Sequence, residues 1–401
     1  MTVSRILTLK RRLNNTDPYQ WLFPLGIVYG LTGVGLWILF KCGLIARYPG
    51  PLHAELMMGG FFLAVASGFL MTAVPRFTGT AKATFYETVL VCALTCLALS
   101  AAVLGASAVF HGVLTLWIGS LGVFGLSRVR HFMYTPPPSF MLVGFGLSFG
   151  FLGSIVLLFS DLALTAPLLV RLARQLLLYG MCLGIVLGIG SQLLPMLMGT
   201  RTRPMANVAP TLMNPIGAVR GARIMFALAG VLLLISFVIE VWVSIQWAWF
   251  LRSLLLSGIT IGYWQIYRCP SERGVMAWCL WISAWMLAIG GWPGVFVSSY
   301  QLHGIHIVFI GSLSLMIFAV ATRVVLSHGG YDLKAERSSK ALYVMFGCFV
   351  FALGTRLAAP FSGRYFAFLD YAALMWILGV LVWSSAFLPK LWCRKQHPEP
   401  S

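Results

Sequence analysis

Charge is the first thing this chain lacks. Only 9% of its 401 residues are charged, and Asp and Glu together number 10 against 28 Lys and Arg. A soluble globular protein carries about a quarter charged residues, so that class is excluded. None of the acids sits in the middle of an apolar run, which argues against a carboxylate-coupled transporter. The eight cysteines include no C-x-x-C pair and mostly lie in apolar runs, so they read as small buried hydrophobes with no disulfide framework. A P-loop, a Gly-rich nucleotide fingerprint and a C-x-x-C-H attachment motif are all missing.

What is there is hydrocarbon. Hydrophobic residues make up 59% of the chain and mean hydropathy is +0.89. Apolar runs of about twenty residues recur, the length that crosses about 30 Å of bilayer as a helix, whereas a barrel would show short alternating segments. The expected fold is therefore all-α, a polytopic membrane protein of about twelve helices. The spans are placed at 22–40, 53–75, 86–105, 107–127, 139–160, 173–196, 222–243, 245–266, 274–298, 302–326, 340–359 and 366–389. Pro49-Gly50-Pro51, Pro136-Pro137-Pro138, the segment from Arg201 to Pro215 and Gly329-Gly330 break the runs.

The formal charge of +18 reports loop topology and not nucleic-acid binding. Of the Lys and Arg, only Lys41, Arg47, Arg171, Arg174, Arg252, Arg356 and Arg364 fall on the side opposite the first residues. By the positive-inside rule both termini are cytoplasmic, in a bacterial inner membrane. The expected organisation is one integral membrane domain over 1–401. It has a basic cytoplasmic start (1–20), six-helix halves at 22–196 and 222–389, and a cytoplasmic tail (390–401). The basic start is not a cleaved signal peptide, because the run after it is too long and no small-residue cleavage site follows. A parallel six-plus-six repeat is suggested by His111-Gly-Val-Leu-Thr-Leu-Trp-Ile-Gly-Ser-Leu121, which aligns without gaps to His303-Gly-Ile-His-Ile-Val-Phe-Ile-Gly-Ser-Leu313.

The histidines carry the chemistry. His53, His111, His303 and His306 open the second, fourth and tenth spans at one leaflet, and His303 and His306 share a helical face about one turn of 5 Å apart. Imidazoles at one level suit haem iron, copper, or both, with Met57 one turn after His53 as a soft ligand. Histidines at a membrane surface also satisfy loop carbonyls, and a methionine there also packs. Glu55 can orient a ligand histidine or handle a proton. His328 lies about 33 Å from His306 along the same helix, too far to share a metal with it. Arg171, Arg174, Arg252, Arg356 and Arg364 can grip haem propionates or simply snorkel.

Residues 52–80, LHAELMMGGFFLAVASGFLMTAVPRFTGT, and 302–330, LHGIHIVFIGSLSLMIFAVATRVVLSHGG, resemble the two signatures of the NnrS family of haem- and copper-containing membrane proteins of nitric oxide metabolism. SQLLPMLMG at 191–199 echoes a middle motif, and DPYQWLFPLG near the start suits the group. The first motif departs from W-H-x-H-E-M, with Leu52 and Ala54 in the two histidine places and His53 between them, and Gln192 stands for the middle motif's arginine. These departures bear on copper more than on haem.

The resemblance implies a membrane protein that binds, senses or reduces nitric oxide or a similar diatomic, in nitrosative stress or denitrification. Its cofactor would be non-covalent haem b, with copper as an additional candidate. If it is an enzyme, it is a nitric oxide reductase-like oxidoreductase with an electron donor that the sequence does not name. Carried over by position, the resemblance implicates His53, His303, His306 and Arg323, with His328 as a signature residue. The alternative is a small-molecule or metal transporter with a histidine-lined vestibule. Membership of the haem-copper oxidases is disfavoured, since the sixth and seventh spans contain no histidine for a copper triad.

Overall fold

The computed structural model describes residues 16–200 and 216–393. The basic start, the 201–215 connection and the last residues with His397 lie outside the described residues. Among the described residues no strand forms, and the expected helices follow in order. They are α1 Tyr19–Lys41, α2 Gly50–Thr78, α3 Phe85–Val103, α4 Ser107–Val129, α5 Phe140–Asp161 and α6 Pro167–Leu197. After these come α7 Ile216–Trp242, then α8 as Ile245–Ser257 continuing in Gly258–Tyr263. The chain ends with α9 Val275–Phe296, α10 Ser298–His328, α11 Lys340–Phe361 and α12 Tyr365–Leu391.

Among the described residues eleven helices are long and apolar enough to cross a membrane, which makes this a multi-pass membrane protein. The remaining helix, α8, carries Gln246 and Arg252 in its apolar run. Arg252 is buried, with Nη2 2.5 Å from Glu240 Oε2 on α7 and its guanidinium 4.3 Å from the centroid of the Phe237 ring. A cation in hydrocarbon needs such a partner, and the α7–α8 hairpin supplies its own.

Local sequence explains where helices start and stop. Thr84 caps α3 in a reciprocal box with Glu87, and Arg128 at the end of α4 holds the same carboxylate at 2.5 and 2.7 Å. After α2 the chain turns at Gly79, whose φ of 66° costs a residue without Cβ nothing. The cysteines depart in part from expectation. Cys182, Cys279 and Cys348 are buried, but Cys42, Cys96, Cys269 and Cys393 are exposed, because two follow helix ends, Cys393 sits near the chain end and Cys96 lies on the outer face of α3.

Two compact units divide the chain. The first holds residues through Gly33 and Gly50–Ile185; the second holds Val34–Pro49 and the described residues from Val186 onward. The most enclosed helix is α2, with 89% of its central window buried, then α6 with 78%, and α9 and α10 with 61%; elsewhere the share is half or less. Each of α2, α6 and α10 contains a π-helical stretch, at Leu56–Phe62, Leu176–Gly180 and Ile307–Ser314.

A hydrogen-bond pattern recurs at four-helix intervals. Trp117 of α4 donates its indole N–H to Ser67 of α2 at 3.0 Å, and Trp264 just after α8 donates to Ser191 of α6 at 2.8 Å. On α12, Trp376 and Trp383 donate to Ser314 and Thr322 of α10 at 3.1 and 2.8 Å. The carbonyl ending α2, Thr78, accepts the amides of Met133 and Tyr134, and the equivalent carbonyl of α6, Met198, accepts those of Ser271 and Glu272. Both precede a positive-φ glycine, Gly79 or Gly199.

Candidate functional site

In the first unit, the opening turn of α2 brings His53 to α1. Its Nδ1 is 2.9 Å from the carbonyl oxygen of Gly33. A carbonyl only accepts, so Nδ1 carries the proton and the lone pair is on Nε2. Met57, one turn on, is buried and faces Gly33, where a Cβ would stand 3.3 Å from its sulfur.

His111 of α4 stands between two carboxylates. Its Nδ1 is 2.6 Å from Asp161 Oδ2 at the end of α5, and its Nε2 is 3.7 Å from Glu55 Oε1 on α2. The ring is 3% exposed, and Nε2 is buried without a hydrogen-bond partner. A histidine whose Nδ1–H is held by a carboxylate presents an oriented, more basic Nε2, the arrangement found behind metal-bound imidazoles.

The second unit treats His303 and His306 differently. His306 Nδ1 lies 2.7 Å from the carbonyl of Leu302 one turn back, so its lone pair is again on Nε2. His303 Nδ1 lies 2.5 Å from Arg356 Nη1 of α11. A guanidinium has no acceptor, so this Nδ1 must accept and the ring proton sits on Nε2. Tyr300 and Tyr365 flank His303, with ring centroids 5.2 and 5.9 Å away. The three-residue spacing therefore supplies one imidazole that offers an electron pair and one that offers a proton.

Arg323 is gripped at both ends of its fork by Glu336, with Nε 2.7 Å from Oε2. Burial pushes the Glu336 carboxyl above its ordinary range, against the opposing pull of Arg323. His328 sits at the other end of α10 from His303 and His306. Of the five arginines expected near propionates, Arg171, Arg174 and Arg364 are exposed, Arg252 is neutralised by Glu240, and Arg356 is buried.

Among the described residues no group of three or more His, Cys, Asp or Glu side chains gathers as a metal cage. Sequence reasoning missed Asp161, Glu336, Tyr300 and Tyr365. No spacing pattern could have found Asp161, which lies 50 residues from His111, whereas Tyr300 stands one helical turn before His303 and carried that signal.

The NnrS protein family matches residues 16–395, nearly the whole chain. The chain belongs to the NnrS family. No curated protein matches it. NnrS membership supports a nitric-oxide-related membrane protein, and the two stretches that resemble the family's signatures fall on α2 and α10.

Proposed function

We propose that this NnrS-family chain is a haem-binding membrane protein that binds, senses or reduces nitric oxide, with copper as an additional metal. The observation that supports this most is the ring-proton pattern. His53, His111 and His306 each give Nδ1–H to a carbonyl or carboxylate, which makes Nε2 the acceptor nitrogen of the ring, the atom through which such an imidazole would hold iron or copper. The donor chemistry therefore fits the groups that the family implies. His303 fits as a proton donor and not as a ligand.

When bound, haem would supply an iron able to take a diatomic ligand. The chain's own part is to hold the ligand imidazoles in one tautomer, and at His111 to keep Glu55 and Asp161 beside a ring that can take or give a proton. Reduction would draw on an external electron donor. The Lys and Arg bias supports a bacterial inner membrane with both termini cytoplasmic.

The test is the absorption spectrum of purified protein. A Soret band that shifts on adding NO or CO is expected. His53→Ala or His306→Ala should bleach or shift it, while His303→Ala should leave iron bound. A preparation free of haem and copper would sink the reading and favour transport, and a spectrum lost only with His303 would overturn the tautomer argument.

A further inference from the structure

Arg356 carries a buried charge that no carboxylate among the described residues pairs with. Its residue is 7% exposed, and the groups acting on its guanidinium are His303 from α10 together with Tyr365, Tyr48 and Tyr300. The other arginine buried in this unit has an acid: Arg252 has Glu240. The partly enclosed Arg323 likewise has Glu336. Holding a cation away from water without a counter-charge is costly, and a guanidinium offers five N–H donors that no tyrosine hydroxyl neutralises.

The neighbours add donors to this cage. His303 spends its only acceptor, Nδ1, on Arg356 and keeps a proton on Nε2. Burial pushes the Tyr48 phenol above its ordinary range, so it stays a hydroxyl. Tyr300 donates its own hydroxyl to the carbonyl of Leu357 at 2.6 Å, which fixes its ring against His303. None of these neighbours carries a negative charge, so the buried guanidinium keeps its positive charge uncompensated.

We propose that Arg356 binds a carboxylate or an oxyanion of similar size. Guanidinium matches such planar groups through two parallel hydrogen bonds. The anion has two sources, a propionate of bound haem or a free small anion. The propionate source rests on the haem reading above, and the free-anion source does not.

The experiment uses the full chain purified without haem in detergent, as wild type, Arg356→Gln, Arg356→Lys and the exposed control Arg364→Gln. One arm titrates haem b and its dimethyl ester, in which both propionates are masked. If the propionate is the ligand, the ester binds wild type roughly tenfold or more weakly than haem b, and Arg356→Gln removes that difference. The other arm follows the thermal midpoint with sodium nitrite or sodium acetate against sodium chloride. If a free anion is the ligand, nitrite or acetate raises the midpoint of wild type and Arg364→Gln but not of Arg356→Gln. Arg356→Lys keeps the charge and loses the fork, so it gives an intermediate effect and replaces Arg356→Gln if that variant fails to fold. Equal behaviour of wild type and the Arg356 variants in both arms overturns the proposal. Failure of haem to bind at all removes the haem reading alone and leaves the anion arm to decide.

Discussion

At the scale of single residues, the partner of each imidazole decides what the ring can do. His111 shows this most directly, because Asp161 fixes its proton on Nδ1 inside a buried site. Asp161→Ala should leave that N–H without a partner and cost about 1–3 kcal/mol, read as a lower thermal midpoint in detergent. Asp161→Asn retains an amide oxygen and should cost less; equal losses would mean that the hydrogen bond is not what the carboxylate contributes. Glu336 gives a pH prediction. Its folded-state pKa is raised above 4.5 by burial, so its contribution to stability is full below that value and is lost as pH rises through the folded one. Glu336→Gln should flatten the thermal midpoint over that window, and an unchanged slope would remove burial as the cause. The histidines themselves were legible in the sequence as polar rings at the ends of apolar runs. Their tautomers were not, because the groups that set those of His53, His111 and His303 arrive from other helices and His306 alone takes its partner from its own helix.

At the scale of the helix, hydropathy made all twelve elements readable, since a run of about twenty apolar residues has few alternatives in a bilayer. The π-helical stretches carry no comparable local mark. That of α2 contains Gly60, where a Cβ would come within 2.0 Å of the Tyr29 ring. The glycine lets α1 and α2 approach, and the Tyr29 hydroxyl then reaches the carbonyl of Thr95 at 2.8 Å. Gly60→Ala should therefore force the ring aside and destabilise by about 1–3 kcal/mol, measured by unfolding in detergent. Wild-type stability in that variant would mean that the close approach is not needed. The apolarity of α8 was readable, but its pairing was not: Arg252 looked like a surface arginine until α7 supplied Glu240.

At the scale of the whole molecule, the exposed cysteines offer a direct check on orientation. Cys42 follows α1, whereas Cys269 follows α8 and Cys393 follows α12, and all three are exposed. If both termini are cytoplasmic, as proposed, a membrane-impermeant thiol reagent applied to intact cells should label Cys42 and spare Cys269 and Cys393 until the cells are opened. The reverse pattern would invert the orientation. The alignment of His111 with His303 was visible in the sequence, yet the two rings have opposite tautomers and different partners, so likeness of sequence did not carry likeness of environment.

The indole-to-hydroxyl links that return every fourth helix bear on how such a chain is made. Each tryptophan finds its acceptor two helices back and never waits for a later part of the chain. A nascent polypeptide leaving the ribosome can thus close each of these four links as the tryptophan's own segment arrives, because its acceptor has already been synthesised.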